Sequence, residues 1–370
     1  MLHVALVDDW ELRGDGSGDP WKLQFEPLGK LLSLYEEYGF KASIAAEVAQ
    51  QLYHLKFGGL HHDLEVIAKE WVKAIHDAKK RGHDIQLHVH SQWHGAEYKN
   101  GFWHLPSPWA ITKLEPNDAL QLLTESRDYL QSVVREVEPG YRCTAFRSGA
   151  WALAPSDHLL SILNELGIIF DISIAGGLKY DNAVISLDYT DIDEDTLPYF
   201  PDMLDARKLG YPSSGIVCVP TMSFKPSLLT VLHRNATAIP FLYNYCKKTV
   251  ARKINSYKEK EYRSDNYSVW RESMPQRLLR RVLPKSIVAD LGQRSFVEMR
   301  DGFNQIRKRV AGVDLPIPVV LENHTKDLGN FDDIRRLCDW LSQQSDIKIV
   351  TLSDIACGIK SKRYPIRSKK

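Results

Sequence analysis

Residues 82–94 read Gly-His-Asp-Ile-Gln-Leu-His-Val-His-Ser-Gln-Trp-His. Just upstream, Leu64, Ile67, Ala68, Trp71, Ile75 and Ala78 recur at i, i+3 and i+4 spacing, which predicts a helix over residues 62–81 with one apolar face. Gly82 stands where a C′ glycine ends such a helix. Asp84–His90 then reads as a strand that finishes on histidines. The stretch is therefore one helix-to-strand unit with polar chemistry at the strand's C-terminal end.

The same rhythm extends in both directions. Leu2–Val7 and Phe40–Ile44 are strand candidates upstream, the second following a helix-like stretch that ends at Tyr38-Gly39. Downstream come a helix at about 117–137, a strand at Arg142–Phe146, and a helix opened by Pro155-Ser156-Asp157 and closed by Gly167. Strands follow at Ile168–Asp171, Gly215–Pro220, Pro318–Glu322 and Ile347–Leu352. Strands alternating with helices imply βα units and a parallel sheet. Asp8/Asp9, His88/His90, Arg147, Asp171 and His324 all fall at predicted strand ends, the face where parallel barrels assemble their sites. We therefore expect an α/β chain with a parallel sheet, open or closed, for which closure into a barrel is favoured.

The rhythm breaks from 225 to 312. Between 245 and 285 this segment is rich in Tyr and carries twelve Lys and Arg against four Asp and Glu. It is read as a basic, aromatic helical insertion, leaving 1–224 and 313–358 as the barrel and 359–370 as a basic tail. The insertion reads first as a solvated helical face, and the functional alternative is peripheral contact with an anionic membrane, or with a substrate diphosphate, through 245–285.

Of the 370 residues, 44% are hydrophobic, enough for a sizeable core, and the net charge of +1 gives no reason to expect a nucleic-acid partner. Five cysteines, scattered and without a C-x-x-C pair, read as reduced thiols in a cytoplasmic setting. No signal peptide and no membrane-spanning run are read from the sequence.

The chemistry concentrates in two places. Asp8-Asp9 closes the first strand, and two adjacent carboxylates call for a compensating cation, a cationic side chain or solvent. His88 and His90 lie two apart on a strand and so face one side, while His90 and His94 have the spacing by which a turn delivers two ligands to one ion. Two His and one carboxylate hold zinc and similar ions while leaving coordination positions open. Arg147 and Asp171 each follow an apolar run and could orient a base jointly. His324 follows a strand, with Glu322 and Asp327 as alternative acids.

In this order the motifs resemble the polysaccharide deacetylase family, the carbohydrate esterases with the NodB homology domain, over most of 1–224 and about 316–358. Val7-Asp8-Asp9 resembles the first motif, which implies Asp8 as catalytic base and Asp9 as a metal ligand. Gly82–His94 resembles the second motif, with His88 and His90 favoured as ligands and His94 the third candidate. Phe146-Arg147, Asp171-x-Ser173 and His324 resemble the third, fourth and fifth, which implies that Arg147 orients the base and that His324 is a general acid steered by Asp171 or another acidic neighbour. Trp10-Glu11 replaces the usual Gly after the paired Asp, so Glu11 could share the carboxylate role. Ser148-Gly149-Ala150-Trp151 replaces Pro-Pro-Tyr, and Gln92 stands where one alignment expects a His.

The resemblance implies an irregular parallel (β/α) barrel of about seven strands, NodB-like and related to the TIM barrel, with a helical insertion, that uses a divalent metal, zinc foremost, to remove an acyl group, N-acetyl foremost, from an amino sugar. That sugar would belong to a surface polysaccharide or its nucleotide- or lipid-diphosphate-linked precursor. The Gln-Leu-His-x-His wording resembles a subgroup found with O-antigen and capsule synthesis. Trp10, Trp93 and Trp151 are expected to contact the sugar. Two alternatives stand beside this one: a metal-dependent C–N hydrolase acting on a non-sugar amide, and a catalytically silent carbohydrate-binding protein.

Overall fold

Leu2–Trp10 (β1) is buried at all nine positions, as a parallel strand covered on both faces must be. The computed structural model, which describes residues 1–181, 184–193, 197–228, 230–231, 285–329 and 331–369, builds its main sheet around this strand. The remaining strands are β2 (Ser43–Glu47), β3 (Asp84–Val89), β4 (Glu97–Lys99), β5 (Phe102–His104), β6 (Ala145–Ser148), β7 (Phe170–Asp171), β8 (Lys179–Asp181) and β9 (Ser186–Asp188). They continue as β10 (Val217–Cys218), β11 (Ser223–Phe224), β12 (Ile287–Val288), β13 (Ile317–His324) and β14 (Ile347–Ile349).

The main sheet runs β10-β7-β6-β3-β2-β1-β13, with β14 alongside the start of β1, and its strand pairs are all parallel. Seven strands in continuous parallel order, curled and flanked by helices, form the irregular barrel expected from the sequence. The curl brings the two ends of the sheet together. Thr221, just past β10, bridges Val320 of β13, and the Met222 N–H donates to the Val320 carbonyl at 2.8 Å.

The long helix is His62–Lys80. Its end is a Schellman motif, in which Gly82 N–H bonds to the Lys79 carbonyl and His83 N–H to the Ala78 carbonyl. Gly82 takes φ +86°, a left-handed conformation in which a side chain would be strained. The sharp reversal starts β3 at once. The helix Val48–Gly58, which the periodicity did not reveal, is capped by the Glu47 side chain accepting from Gln50 N–H.

Two apolar layers follow from the alternation of side chains along each strand. Ala5, Val7, Ala45, Ala145, Phe170, Val217 and Val320 face inward, onto a plug formed by Leu352, Ile355, Ala356 and Tyr364. Leu2, Val4, Leu6, Ile44, Leu87, Phe146 and Leu321 face outward, beneath the helices.

Part of the stretch expected as an insertion is packed against the barrel. β12 pairs antiparallel with β11, and the helix Phe296–Arg309 buries Met299, Phe303 and Ile306. Residues 232–284, and with them nearly all of the basic 245–285 tract, lie outside the described residues. The expected tail also has partners: Tyr364 is buried with its hydroxyl 2.9 Å from His3 Nδ1, and the Arg367 carbonyl accepts from Phe200 N–H. Among the described residues, no helix is long and apolar enough to cross a membrane.

The plug helix Leu352–Lys360 is tied down by one buried carboxylate. Asp84 accepts from Ser353 N–H at 3.0 Å, from Ser353 Oγ at 2.7 Å and from Ser43 Oγ at 3.3 Å. Asp84→Ala strands these donors away from water and is expected to cost about 2–3 kcal/mol, read as a lower urea midpoint at unchanged slope.

Candidate metal centre and catalytic pocket

At the C-terminal end of the strands a cavity of about 240 Å3 is lined by Asp9, Glu11, His88, His90, Trp109, Trp151, His324 and Lys326, among others. Strand alternation selects the wall-forming side chains. Register places Asp9 beside His324 and Ala45, and His88 beside Arg147, on the inward face that Ala45 marks. Asp8 lies beside Ile44 and Asn323 on the outward face.

Glu11, His88 and His90, all buried, can bring three ligand atoms within 4.8 Å of one another. His88 Nδ1 lies 2.9 Å from the Arg147 carbonyl, which can only accept, so Nδ1 carries the proton and the Nε2 lone pair faces Glu11 Oε2 at 3.1 Å. In neutral His88 that contact sets two acceptors against each other, an arrangement that a shared cation relieves. The donor set therefore fits a divalent ion. His90 Nε2 also contacts Glu11 Oε2, and the Gln92 amide, 2.8 Å from His90 Nδ1, steadies that ring from behind. The Lys326 ammonium holds the other carboxylate oxygen of Glu11. Burial pushes the Glu11 pKa up, but His90 and Lys326 outweigh it and hold the carboxyl well below its usual range.

A close approach sets the position of His90. A Cβ on Gly149 would come within 2.7–2.8 Å of the His90 ring, so only glycine fits there without displacing it. The next two residues, Ala150 and Trp151, adopt φ +53° and +54°, strained values for side-chain-bearing residues. They turn Trp151 back over the cavity. Its indole donates to Glu322 Oε2 at 2.7 Å, stacks on Tyr180 and meets His324 edge-on.

Beside the ligand set stand two pairs suited to proton transfer. Asp9 Oδ1 lies 3.4 Å from Arg147 Nε and has no hydrogen-bond partner. Arg147, 1% exposed, is shared with Glu322 at 3.2 Å. His324 Nδ1 lies 3.1 Å from Asp290 Oδ2, and Nε2 points to Asp9 Oδ2 at 3.6 Å. Burial pulls the His324 pKa down, but its hydrogen bond to Asp290 and the neighbouring carboxylates dominate and raise it to about 10. The imidazole is thus held as a proton donor.

The structure brings His88, His90, Arg147, His324, Asp9 and Trp151 together and places Asp8, His94, Asp171, Trp10 and Trp93 elsewhere. Asp8, expected as the base, faces away from the cavity and accepts from Asn323 Nδ2; burial raises its pKa to about 7. Asp9, expected as a ligand, lines the cavity beside Arg147, and Glu11, two residues on and on the same face, is the carboxylate that meets His88 and His90. His94 lies outside the cluster, its ring 3.5 Å from Ser107 Oγ.

Asp171, expected to steer His324, shares the outward face of Phe146 and Cys218 and accepts from Ser173 N–H and Oγ. The carboxylate that meets His324 Nδ1 is that of Asp290. Trp10 is fully buried, stacked on Trp71, and Trp93 is buried against His54 and Trp103, so neither meets a ligand in the cavity. Lys326 was not anticipated, although a Lys two residues past a strand-end His is a readable signal. Asp290 has no local signal, since it follows a two-residue strand.

No protein-family model matches the sequence, and no curated protein matches it. Solved structures do. A Mycobacterium smegmatis protein assigned as a polysaccharide deacetylase superposes with a TM-score of 0.51 at 12% identity, over 100% of this chain and 93% of its own. A Pseudomonas aeruginosa PAO1 protein with the same assignment gives 0.50 at 12%, over 98% and 93%. PuuE allantoinase gives 0.50 at 12%, over 98% and 92%. At this identity the likeness is one of architecture: in fold, the chain is similar to NodB-type polysaccharide deacetylases and to an allantoinase.

Proposed function

We propose that this protein is a metal-dependent hydrolase that removes an acyl group, N-acetyl foremost, from an amino sugar of a surface polysaccharide or its diphosphate-linked precursor. The observation that carries the reading is the buried Glu11–His88–His90 set opening onto a cavity that also holds the Asp9–Arg147 and His324–Asp290 pairs. A divalent ion bound there, zinc foremost, supplies Lewis-acid polarisation of the acyl carbonyl and a lowered pKa for water.

The chain's own groups do the rest. Asp9, oriented by Arg147, accepts the proton of the attacking water. His324, kept protonated by Asp290, donates to the leaving amine. Trp109 and Trp151 offer aromatic walls of a size suited to one sugar ring. Loss of the usual third-motif residues at 148–151, together with an allantoinase among the structures of like fold, favours the non-sugar amide as the second reading. Acetate release from acetylated amino sugars, set against ammonia or amine release from small amides and ureides, separates the two.

Three outcomes test the site. Mass-spectrometric metal analysis is expected to show occupancy lost in Glu11→Ala, His88→Ala and His90→Ala but kept in His94→Ala. Full occupancy in the first three variants would remove the metal centre from the reading. Gly149→Ala, which pushes on the His90 ring, is expected to weaken metal binding by about tenfold or more while leaving the far-UV circular dichroism unchanged.

Asp9→Asn is expected to lower turnover about a hundredfold or more, and Asp8→Asn to leave it near wild type. Because the folded-state pKa of Asp8 lies above its unfolded value, the stability it contributes is full below the unfolded pKa of 3.8 and is lost as pH rises through about 7. Asp8→Asn is therefore expected to gain in urea midpoint over wild type on going from about pH 5 to about pH 8. A loss of activity in Asp8→Asn equal to that in Asp9→Asn would return the base to Asp8.

A further inference from the structure

Resting on the proposed metal centre, we infer that Lys326 is a built-in counter-cation that occupies Glu11 in the metal-free protein and sets how tightly the site takes up a divalent ion. One carboxylate oxygen of Glu11 faces the two histidine Nε2 atoms, and the other is held by the Lys326 ammonium. A buried carboxylate needs such a partner when no metal is bound. An arriving divalent ion takes over that role, and it then shares a low-dielectric pocket with a fixed positive charge.

Besides the two ligand histidines, the cationic side chains paired with the buried carboxylates of the pocket are Arg147, His324 and Lys326, and Lys326 is the one placed to yield. Arg147 is 1% exposed and divided between Asp9 and Glu322, and the His324 side chain is 9% exposed and bonded to Asp290. Lys326 is 16% exposed on a flexible four-carbon stem at the cavity wall. It can withdraw toward solvent, and the work of moving it is subtracted from the metal affinity. It also restricts Glu11 to a single free oxygen for as long as it stays. Lys326 thus acts on the metal through Glu11 and is a positioning residue.

The test is divalent-ion affinity in the purified full chain, stripped with chelator and titrated with Zn2+ against a chromophoric competitor. Co2+ absorption gives a second readout, of coordination geometry. Lys326→Met, which keeps the stem and removes the charge, is expected to bind Zn2+ at least about tenfold more tightly, with a shifted Co2+ spectrum as Glu11 gains its second oxygen. Lys326→Arg is expected to stay near wild type. Metal-free Lys326→Met is expected to melt below wild type and to recover on adding Zn2+. Lys326→Gln gives a second neutral variant should the Met form fold poorly.

Equal or weaker Zn2+ binding in both neutral variants, with wild type binding normally, overturns the role of Lys326 and leaves the metal centre standing. Binding by neither wild type nor variants overturns both. Binding by the neutral variants alone supports the inference in its strongest form, with Lys326 closing the site to metal. In each positive case His88→Ala in the same background is expected to abolish binding, and persistence of binding would place the ion elsewhere and overturn the inference.

Discussion

Successive side chains of a β-strand face opposite ways, and in a curled parallel sheet this rule alone divides the strand-end polar residues into those that share a cavity and those that never meet it. Asp9, His88, Arg147, Glu322 and His324 share the inward parity that Val7, Ala45, Ala145 and Val320 set lower in the barrel. Asp8, Asp171 and Asn323 share the outward parity of Ile44, Phe146 and Cys218. A one-residue slip of β1 against β13 would bring Asp8 in for Asp9 and turn Glu11 out of the pocket in favour of Trp10. Burial of β1 on both faces, with eight matched positions against β13, holds that register.

This division also explains what could be read in advance. The helix-to-strand unit at 62–94 carries its own signals in helical periodicity, a C′ glycine and histidines on alternate positions, and each of these has a counterpart in the structure. The barrel is likewise legible, because strands ending on polar residues and separated by helices have few other ways to bury both faces. The paired aspartates were harder. A motif resemblance assigns roles in sequence order, whereas the strand assigns them by parity, and only the structure shows that β1 runs on to Trp10 and carries Glu11 inward behind Asp9.

The remaining errors have a common cause. Trp10 and Trp93 lie beside chemistry-bearing residues in sequence, and each points into the packed layer that supports them. Asp171 follows a strand as expected, but its neighbour Ser173 satisfies it locally through two hydrogen bonds. The acid that does meet His324 comes from Asp290, far along the chain, brought home by tertiary pairing rather than by any pattern a window of sequence contains.

That pairing has its own consequence. β11 and β12 form an antiparallel clamp, Ser223 and Phe224 against Val288 and Ile287, and Asp290 follows two residues beyond it, bridged to Glu322 of β13. The backbone on both sides of Asp290 is pinned: the Ala289 N–H donates to the Met222 carbonyl at 2.9 Å and the Leu291 N–H to the Glu322 carbonyl at 2.7 Å. The Asp290 carboxylate beside His324 is therefore set by backbone hydrogen bonds to two separate segments of the chain.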